Sequence, residues 1–319
     1  MKHLLYIIFL ICLLNQVLSQ PNKPDIYWAC APKTDSLYNV GNFRASIELN
    51  LSKLNLKNNI GCSYMLAQDY ALLGIQDSAF YYLNKYIGLG LQDYRVVYVD
   101  EDFELLRKNK TEWNKIIAQI EDIYLQTLDS SMNKEYALKL FRLGIENDRY
   151  CLFISVNCRR RAEPSTEKYI KHYEKLKNEC KKLIRKYGFP TPSLVGYAAT
   201  YSASNILLTY NLEDKYYQQA KEAYEKGDYL PPKYYASLTD TWLEQNGKKQ
   251  IYGTIWYKTE KTIKEYGNVY ILYPVEDFKN LNEIRAEMGL SSIEEYLENG
   301  NKYSFEIHYI PDEYYNDNE

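Results

Sequence analysis

From Asp35 to about Ile123, apolar side chains recur at three- and four-residue steps, the spacing that places one apolar stripe along a helix. Glycines fall between these runs, where they end helices, so the pattern predicts helical hairpins. The clearest unit lies between Asn59 and Gly90. Leu66, Ala67 and Tyr70 share one helix, Gly74 makes the turn, and Ala79, Phe80, Leu83 and Tyr86 share the next. Small residues at Ala67 and Ala79 allow the two helices to approach closely. A closing helical element is expected from Asp100 through Trp113.

Asp129-Ser130-Ser131 supplies a helix cap ahead of Ala137, Leu138, Phe141 and Ile145, which puts a domain boundary near Leu128. A long helix is expected after Ser165, with Glu167 in its first turn and Lys181, Lys182, Arg185 and Lys186 near its end, an order that suits the helix dipole. Gly188-Phe189-Pro190-Thr191-Pro192 stops it. Ser193 is expected to open another helix, whose small face is Gly196, Ala198, Ala199 and Ala203. One more helix should run from Pro231-Pro232 through Trp242 and end by Gly247. The period then changes to two. Ile251, Gly253, Ile255 and Tyr257 alternate with Tyr252, Thr254 and Trp256, predicting a strand from Gln250 to Tyr257. Val269–Tyr273 is its expected partner across a turn at Tyr266-Gly267-Asn268, making a β-hairpin. Pro274-Val275-Glu276-Asp277 leads into another helix, and Ser292-Ile293-Glu294-Glu295 has capping-box spacing. The acidic tail after Pro311 is expected to be disordered.

The Asn59–Gly90 unit resembles a tetratricopeptide repeat, with small residues and a Tyr placed around a glycine turn. Gly41-Asn42-Phe43-Arg44-Ala45 resembles the corresponding turn of a preceding, degenerate repeat, with Ala45 and Ile47 entering its second helix. A second set of marks occurs in one order: Asp148-Arg149, Gly188-Phe189-Pro190-Thr191, Val195-Gly196, Asp240, Gln250-Ile251-Tyr252-Gly253-Thr254 and Pro274-Val275-Glu276-Asp277. Together these resemble a bacterial family known as domain of unknown function 6624, over roughly residues 131 to 297. This chain departs from the family pattern in two places. Thr209-Tyr210-Asn211 stands where members often carry Gln-His-Ala, and Thr241 stands where Arg commonly follows the Asp matching Asp240. The expected fold is therefore predominantly α. Tetratricopeptide-like helical hairpins over residues 20–127 precede a mostly helical α+β domain with a β-hairpin over 128–300, followed by an acidic extension over 301–319.

Residues 1–19 read as a secretory signal: Lys2 and His3 precede an uncharged apolar run from Leu4 to Leu14, and Val17-Leu18-Ser19 offers a cleavage site before Gln20. The run falls short of the about 20 residues a membrane span needs, and no later segment supplies one. Neither Cys12 nor Cys30 stands directly after the cleavage point, so the expected product is periplasmic or secreted and not a lipoprotein. With 39 basic and 42 acidic residues the net charge is −3, which argues against nucleic acid as a partner. A protein or peptide partner is expected from the repeat-like surface. The 35 tyrosines accompany abundant Lys, Asn and Ile, a codon bias sufficient to explain them. After cleavage Cys30, Cys62, Cys151, Cys158 and Cys180 remain, an odd number that leaves one thiol outside any intramolecular pairing. Cys151 with Cys158 is the local pair, and both also fit as small buried residues.

The candidate chemistry is polar rather than nucleophilic. Only His172 and His308 remain to act as a base, and Cys180 lies too far along its helix from His172 for direct hydrogen bonding. His172 is expected to be exposed and Cys180 to be a packing residue. Ser131-Met132-Asn133-Lys134 and Ser165-Thr166-Glu167-Lys168 both show Ser-x-x-Lys spacing, but no Ser-Asp-Asn or Lys-Thr-Gly accompanies them, so both read as helix starts. No phosphate loop or metal-binding spacing is present, and no cofactor is expected. Asp148, Arg149, Asp240, Gln250, Tyr252, Thr254, Glu276 and Asp277 form the candidate polar site, provided the hairpin packs beside the helix starts. Such a cluster could bind a polar ligand or supply an acid or base; it could equally consist of structural ion pairs and hydrogen bonds.

Overall fold

The computed structural model describes residues 36–54, 60–89, 95–159, 166–208, 212–257, 270–302 and 307–308. The expected signal segment, Cys30, Ser165, Thr209-Tyr210-Asn211, the turn at Tyr266-Gly267-Asn268 with Val269, and the tail after Pro311 lie outside these residues, as do the side chains of Cys151 and Cys158. The described residues fall into two compact units that divide between Leu128 and Asp129. The protein is predominantly helical.

In the front unit, a helical turn at 36–39 precedes α1 (Phe43–Lys53), α2 (Ile60–Leu72) and α3 (Gln76–Gly88). Asn42 caps α1, its Oδ1 accepting from Ala45 N at 3.3 Å. At Gly74, Ile75 N donates to Tyr70 O at 2.9 Å, closing the end of α2 so that α3 folds back along it. Leu66, Ala67, Ala71, Ala79, Leu83 and Ile87 are fully buried in this hairpin and its contacts. The expected closing element is not one helix. After α4 (Arg95–Val99), Asp100 caps a 3-10 turn at Glu101–Phe103, which leads into α5 (Glu104–Lys108). Asn109 then caps a fresh helix, α6 (Lys110–Gln126), with Oδ1 accepting from Glu112 N at 3.4 Å. Two side-chain caps within ten residues divide what apolar spacing alone reads as continuous.

The back unit opens with α7 (Lys134–Arg159). Its cap is Asn133, whose Oδ1 accepts from Tyr136 N at 3.0 Å; the expected cap, Asp129–Ser131, forms the preceding turn. α8 (Thr166–Tyr187) ends at Gly188, and Thr191-Pro192 starts the four-residue α9 (Pro192–Val195). Asp228 holds this start by accepting from Ser193 N at 3.0 Å and Ser193 Oγ at 2.5 Å. Gly196 interrupts the helix expected from Ser193, and α10 (Tyr197–Leu208) begins after it. Every residue of α10 from Ala199 to Leu207 is buried, so this helix forms the middle of the unit, packed by α7 and α8. The α7 contact is close: a Cβ at Gly144 would lie 2.1 Å from Ser202 Oγ. α11 (Asp214–Glu225) pairs with α12 (Pro232–Gln245), which begins at Pro231-Pro232 as expected.

The expected strand is shorter than its alternation implies. β1 is Trp256–Tyr257 alone, antiparallel to β2 (Tyr270–Leu272), with Trp256 opposite Leu272. α13 (Leu281–Glu287) and α14 (Ile293–Lys302) follow, and β3 (Ile307–His308) pairs parallel to β2. Ser292 caps α14 as its spacing predicts, Oγ accepting from Glu295 N at 3.2 Å. Leu272, Val275, Leu281 and Ile293 form a small core, flanked by Phe278, Tyr296 and Leu297, beneath the loop that occupies the first half of the expected strand. No helix among the described residues is long and apolar enough to cross a membrane.

Candidate functional site

Asp240 lies in the second half of α12 with no exposed surface, and the chain returns to it after the turn at Gly247. Its Oδ1 accepts from Ile251 N at 2.9 Å and Tyr252 N at 3.0 Å; its Oδ2 accepts from Thr254 N at 3.0 Å and Thr254 Oγ1 at 2.8 Å. These bonds take the amides a strand would have given to a neighbour, which is why residues 250–254 form a loop and the ladder begins only at Trp256. Burial pushes the Asp240 carboxyl above its usual range, against the pull of Tyr252, Thr254 and Ile251.

Gln250 closes the same loop with its side-chain amide. Oε1 accepts from Ile255 N at 2.8 Å, while Nε2 donates to Ile255 O at 3.0 Å and Tyr273 O at 2.6 Å. Its backbone bridges the following segment: Gln250 N donates to Pro274 O and Glu276 N donates to Gln250 O, both at 2.8 Å. Gly253 has φ +66° and lies tightly under α13 and α14, where an added Cβ would meet Leu281 Cδ2 at 3.3 Å and Ile293 Cδ1 at 3.4 Å.

A residue not singled out in the sequence completes the arrangement. Arg285 of α13 is 1% exposed, and its Nη1 donates to Tyr252 O at 2.6 Å and Gly253 O at 3.1 Å while Nε donates to Ser291 O at 2.7 Å. Its guanidinium carbon lies 4.9 Å from the centre of the Tyr296 ring. Tyr296 accepts from Trp256 Nε1 at 3.0 Å and donates to Thr254 O at 3.3 Å, and burial pushes its phenol up to about 12. A buried anion thus holds the loop's N–H groups and a buried cation holds its carbonyls. The two charges stabilise one another through the peptide dipoles between them.

This geometry divides the candidate polar residues. Asp240, Gln250, Tyr252 and Thr254 come together, but the Asp240 carboxylate already accepts two bonds on each oxygen and Tyr252 takes part through its backbone. Glu276 joins only through its N–H, and its side chain is exposed. Asp277 is exposed and ties the next turn, accepting from Asn280 N at 3.2 Å and Asn280 Nδ2 at 2.8 Å. Asp148 is half-buried and Arg149 exposed on α7, which packs on α8, α9 and α10. The arrangement is a brace for the loop, and a proton transfer at Asp240 would require that loop to open. The Tyr252 phenol remains half-exposed; partial burial raises it, with Asp240, Tyr224 and Tyr217 adding to the effect. It adjoins an aromatic wall in which Tyr224 stacks on Tyr235 at 4.0 Å and Tyr217 on Trp242 at 4.4 Å.

His172 is half-buried rather than exposed, and burial lowers its pKa; Cys180 is fully buried, its thiol pushed up to about 12. In the front unit, Tyr81 is 61% exposed. Tyr64, on α2 of the same hairpin, is turned inward, donating to Asp100 and packing edge-on against Phe103.

Neither a curated protein nor a solved structure matches the chain. The family similarity begins later than the sequence marks imply, leaving Asp148 and Arg149 outside it, and takes in the whole Asp240–Arg285 brace. Residues 164–306 match DUF6624, a family of unknown function.

Proposed function

We propose that this chain is an exported protein of the cell envelope, periplasmic or secreted, whose front unit binds a protein or peptide. The observation that carries the reading is an aromatic surface on the α2–α3 hairpin. Tyr81 is 61% exposed and packs edge-on against Tyr82 at 4.9 Å, and Tyr82 stacks on Tyr70 at 5.6 Å with ring planes 2° apart. Leu72 and Ile75, at the end of α2 and the turn after it, are also exposed. Tyrosines already held by ring contacts lose little conformational freedom on binding, the property that makes them effective interface anchors. The resemblance of this hairpin to a tetratricopeptide repeat supports the same reading, and export rests on the pattern of Lys2 through Ser19.

The competing reading is an enzyme acting on an envelope polymer or small polar substrate through the back unit. It has less support because Asp240, its central acid, is committed to loop structure. The test uses purified residues 20–319 incubated with envelope extract of the native host, compared with Tyr81→Ala and with Glu276→Ala/Asp277→Ala. Binding predicts a retained protein that Tyr81→Ala loses and the acidic double variant keeps. New low-mass products from the wild type that disappear with the acidic double variant, alongside retention indifferent to Tyr81, would replace this reading with the enzymatic one.

A further inference from the structure

The seam between α1 and α2 contains a fully buried carboxyl group, Asp69, with no donor on either oxygen. Ser46 and Asn50 of α1, also fully buried, flank it closely enough to favour its charged form, although neither makes a hydrogen bond to it of normal geometry. Asn50 Nδ2 is turned to Ser46 Oγ at 3.3 Å, and Asn50 Oδ1 has no donor either. Three buried acceptor oxygens of the seam, both of Asp69 and that of Asn50, thus receive no hydrogen bond. Burying an ionised carboxylate under these conditions is unfavourable, and a group avoids it by taking up a proton.

The surrounding charges act in the same direction. Asp102, on the 3-10 turn packed against α2, raises Asp69 further, and the Tyr38 phenol, which donates to Asp102, also faces the Asp69 charge. Asp102 is itself well supplied with donors: Tyr38 OH at 2.5 Å and Gln68 Nε2 at 2.9 Å. Asp100 accepts from Tyr64 OH and from Gln68 Nε2. The Arg107 guanidinium of α5 donates to the carbonyls of Tyr98 and Asp100. Hydrogen bonds thus reach both neighbouring carboxylates, although burial and Asp100 still raise Asp102, and none reaches the oxygens of Asp69.

We propose that a proton on Asp69 closes the α1–α2 seam, so that mild acid tightens the front unit and a rise towards neutral pH loosens α1. The protonated carboxyl supplies the missing donor to Asn50 Oδ1 or Ser46 Oγ. Burial raises Asp69 from 3.8 to about 6, with Asp102 adding to the effect and Ser46 and Asn50 opposing it. A folded-state value above the unfolded one gives stability that is complete below about pH 4 and is lost as pH rises through about 6.

The test is hydrogen exchange of the α1 amides in the full chain at pH 5 and pH 7.5, corrected for intrinsic rates, for wild type and Asp69→Asn. Linkage predicts about tenfold greater protection at the lower pH for the wild type. The asparagine supplies a donor that does not titrate, so this variant should be equally protected at both values and better protected than wild type at pH 7.5. A wild type indifferent to pH, a variant that keeps the wild-type dependence, or a variant less protected at pH 7.5 would overturn the proposal. Should the variant fail to fold, the 13C shift of the wild-type Asp69 carboxyl decides: a midpoint near 6 supports it and one below 5 sinks it.

Discussion

Replacing Asp240 with Asn keeps the side chain's volume and removes its charge, which isolates the electrostatic part of the brace. The amide oxygen can still accept two of the bonds now made by the carboxylate, as weaker neutral contacts. Its NH2 then faces the Thr254 N–H, which at present donates at 3.0 Å. The Thr254 hydroxyl can rotate to accept, but the backbone N–H cannot. One buried donor is left unmet, at about 1–3 kcal/mol, and charge assistance is lost from the remaining bonds. Arg285, 1% exposed, also loses the anion across the loop. The sum is about 3–5 kcal/mol, a large part of the 5–15 kcal/mol typical of a whole domain. For a unit the size of residues 129–319 this corresponds to a fall in Tm of about 10 °C. Thermal unfolding of the full chain by calorimetry measures the shift, and hydrogen exchange at residues 251–256 locates it. A Tm within about 2 °C of wild type, with those amides still protected, would show that the carboxylate's charge does not hold the loop.

Gly144→Ala would raise helix propensity by about 1 kcal/mol at an open position. Here the new methyl would sit 2.1 Å from Ser202 Oγ, so a lower urea midpoint is expected, with most of the loss recovered in the Gly144→Ala/Ser202→Gly double variant. Lys177 of α8 is 6% exposed, and burial, assisted by Lys181, lowers its amine to about 8. The unfolded chain therefore holds this proton to higher pH than the native state, and the lysine's contribution to stability should grow by about 2 kcal/mol between pH 7.5 and 9.5. The raised Cys180 thiol acts in the opposite direction over that range, so the quantity to measure by urea denaturation is the difference between wild type and Lys177→Met. A difference that does not change with pH would contradict the assignment.

Elements with local punctuation were legible in the sequence. Pro231-Pro232 marks the start of α12 and Ser292 that of α14 because each acts on its own helix terminus. α11 was missed. Its N-cap, Glu213, makes no side-chain cap bond, and its apolar face consists of Tyr216, Tyr217, Ala220 and Ala223, residue types that suit several environments. The strand from Gln250 failed for a tertiary reason: alternation reports which face each side chain takes, but not that a carboxylate ten residues earlier captures the N–H groups. Arg285 gave no sequence signal, since an arginine in a seven-residue helix ordinarily points to solvent. Asp69 was equally silent. The candidate polar list found the anionic half of the brace through its order along the chain and could not find the cationic half, which acts only on carbonyl groups.

The loop over Asp240 takes its shape from its own main chain, gripped on both polar edges, while the side chains of Ile251 and Tyr252 remain half-exposed. What it displays is thereby uncoupled from how it is held. Exchanging those two side chains should alter the chemical character of the surface without moving the backbone beneath it, as fittings are changed on a fixed mount. On this basis the loop offers a held backbone on which a new binding residue can be grafted at Ile251 or Tyr252.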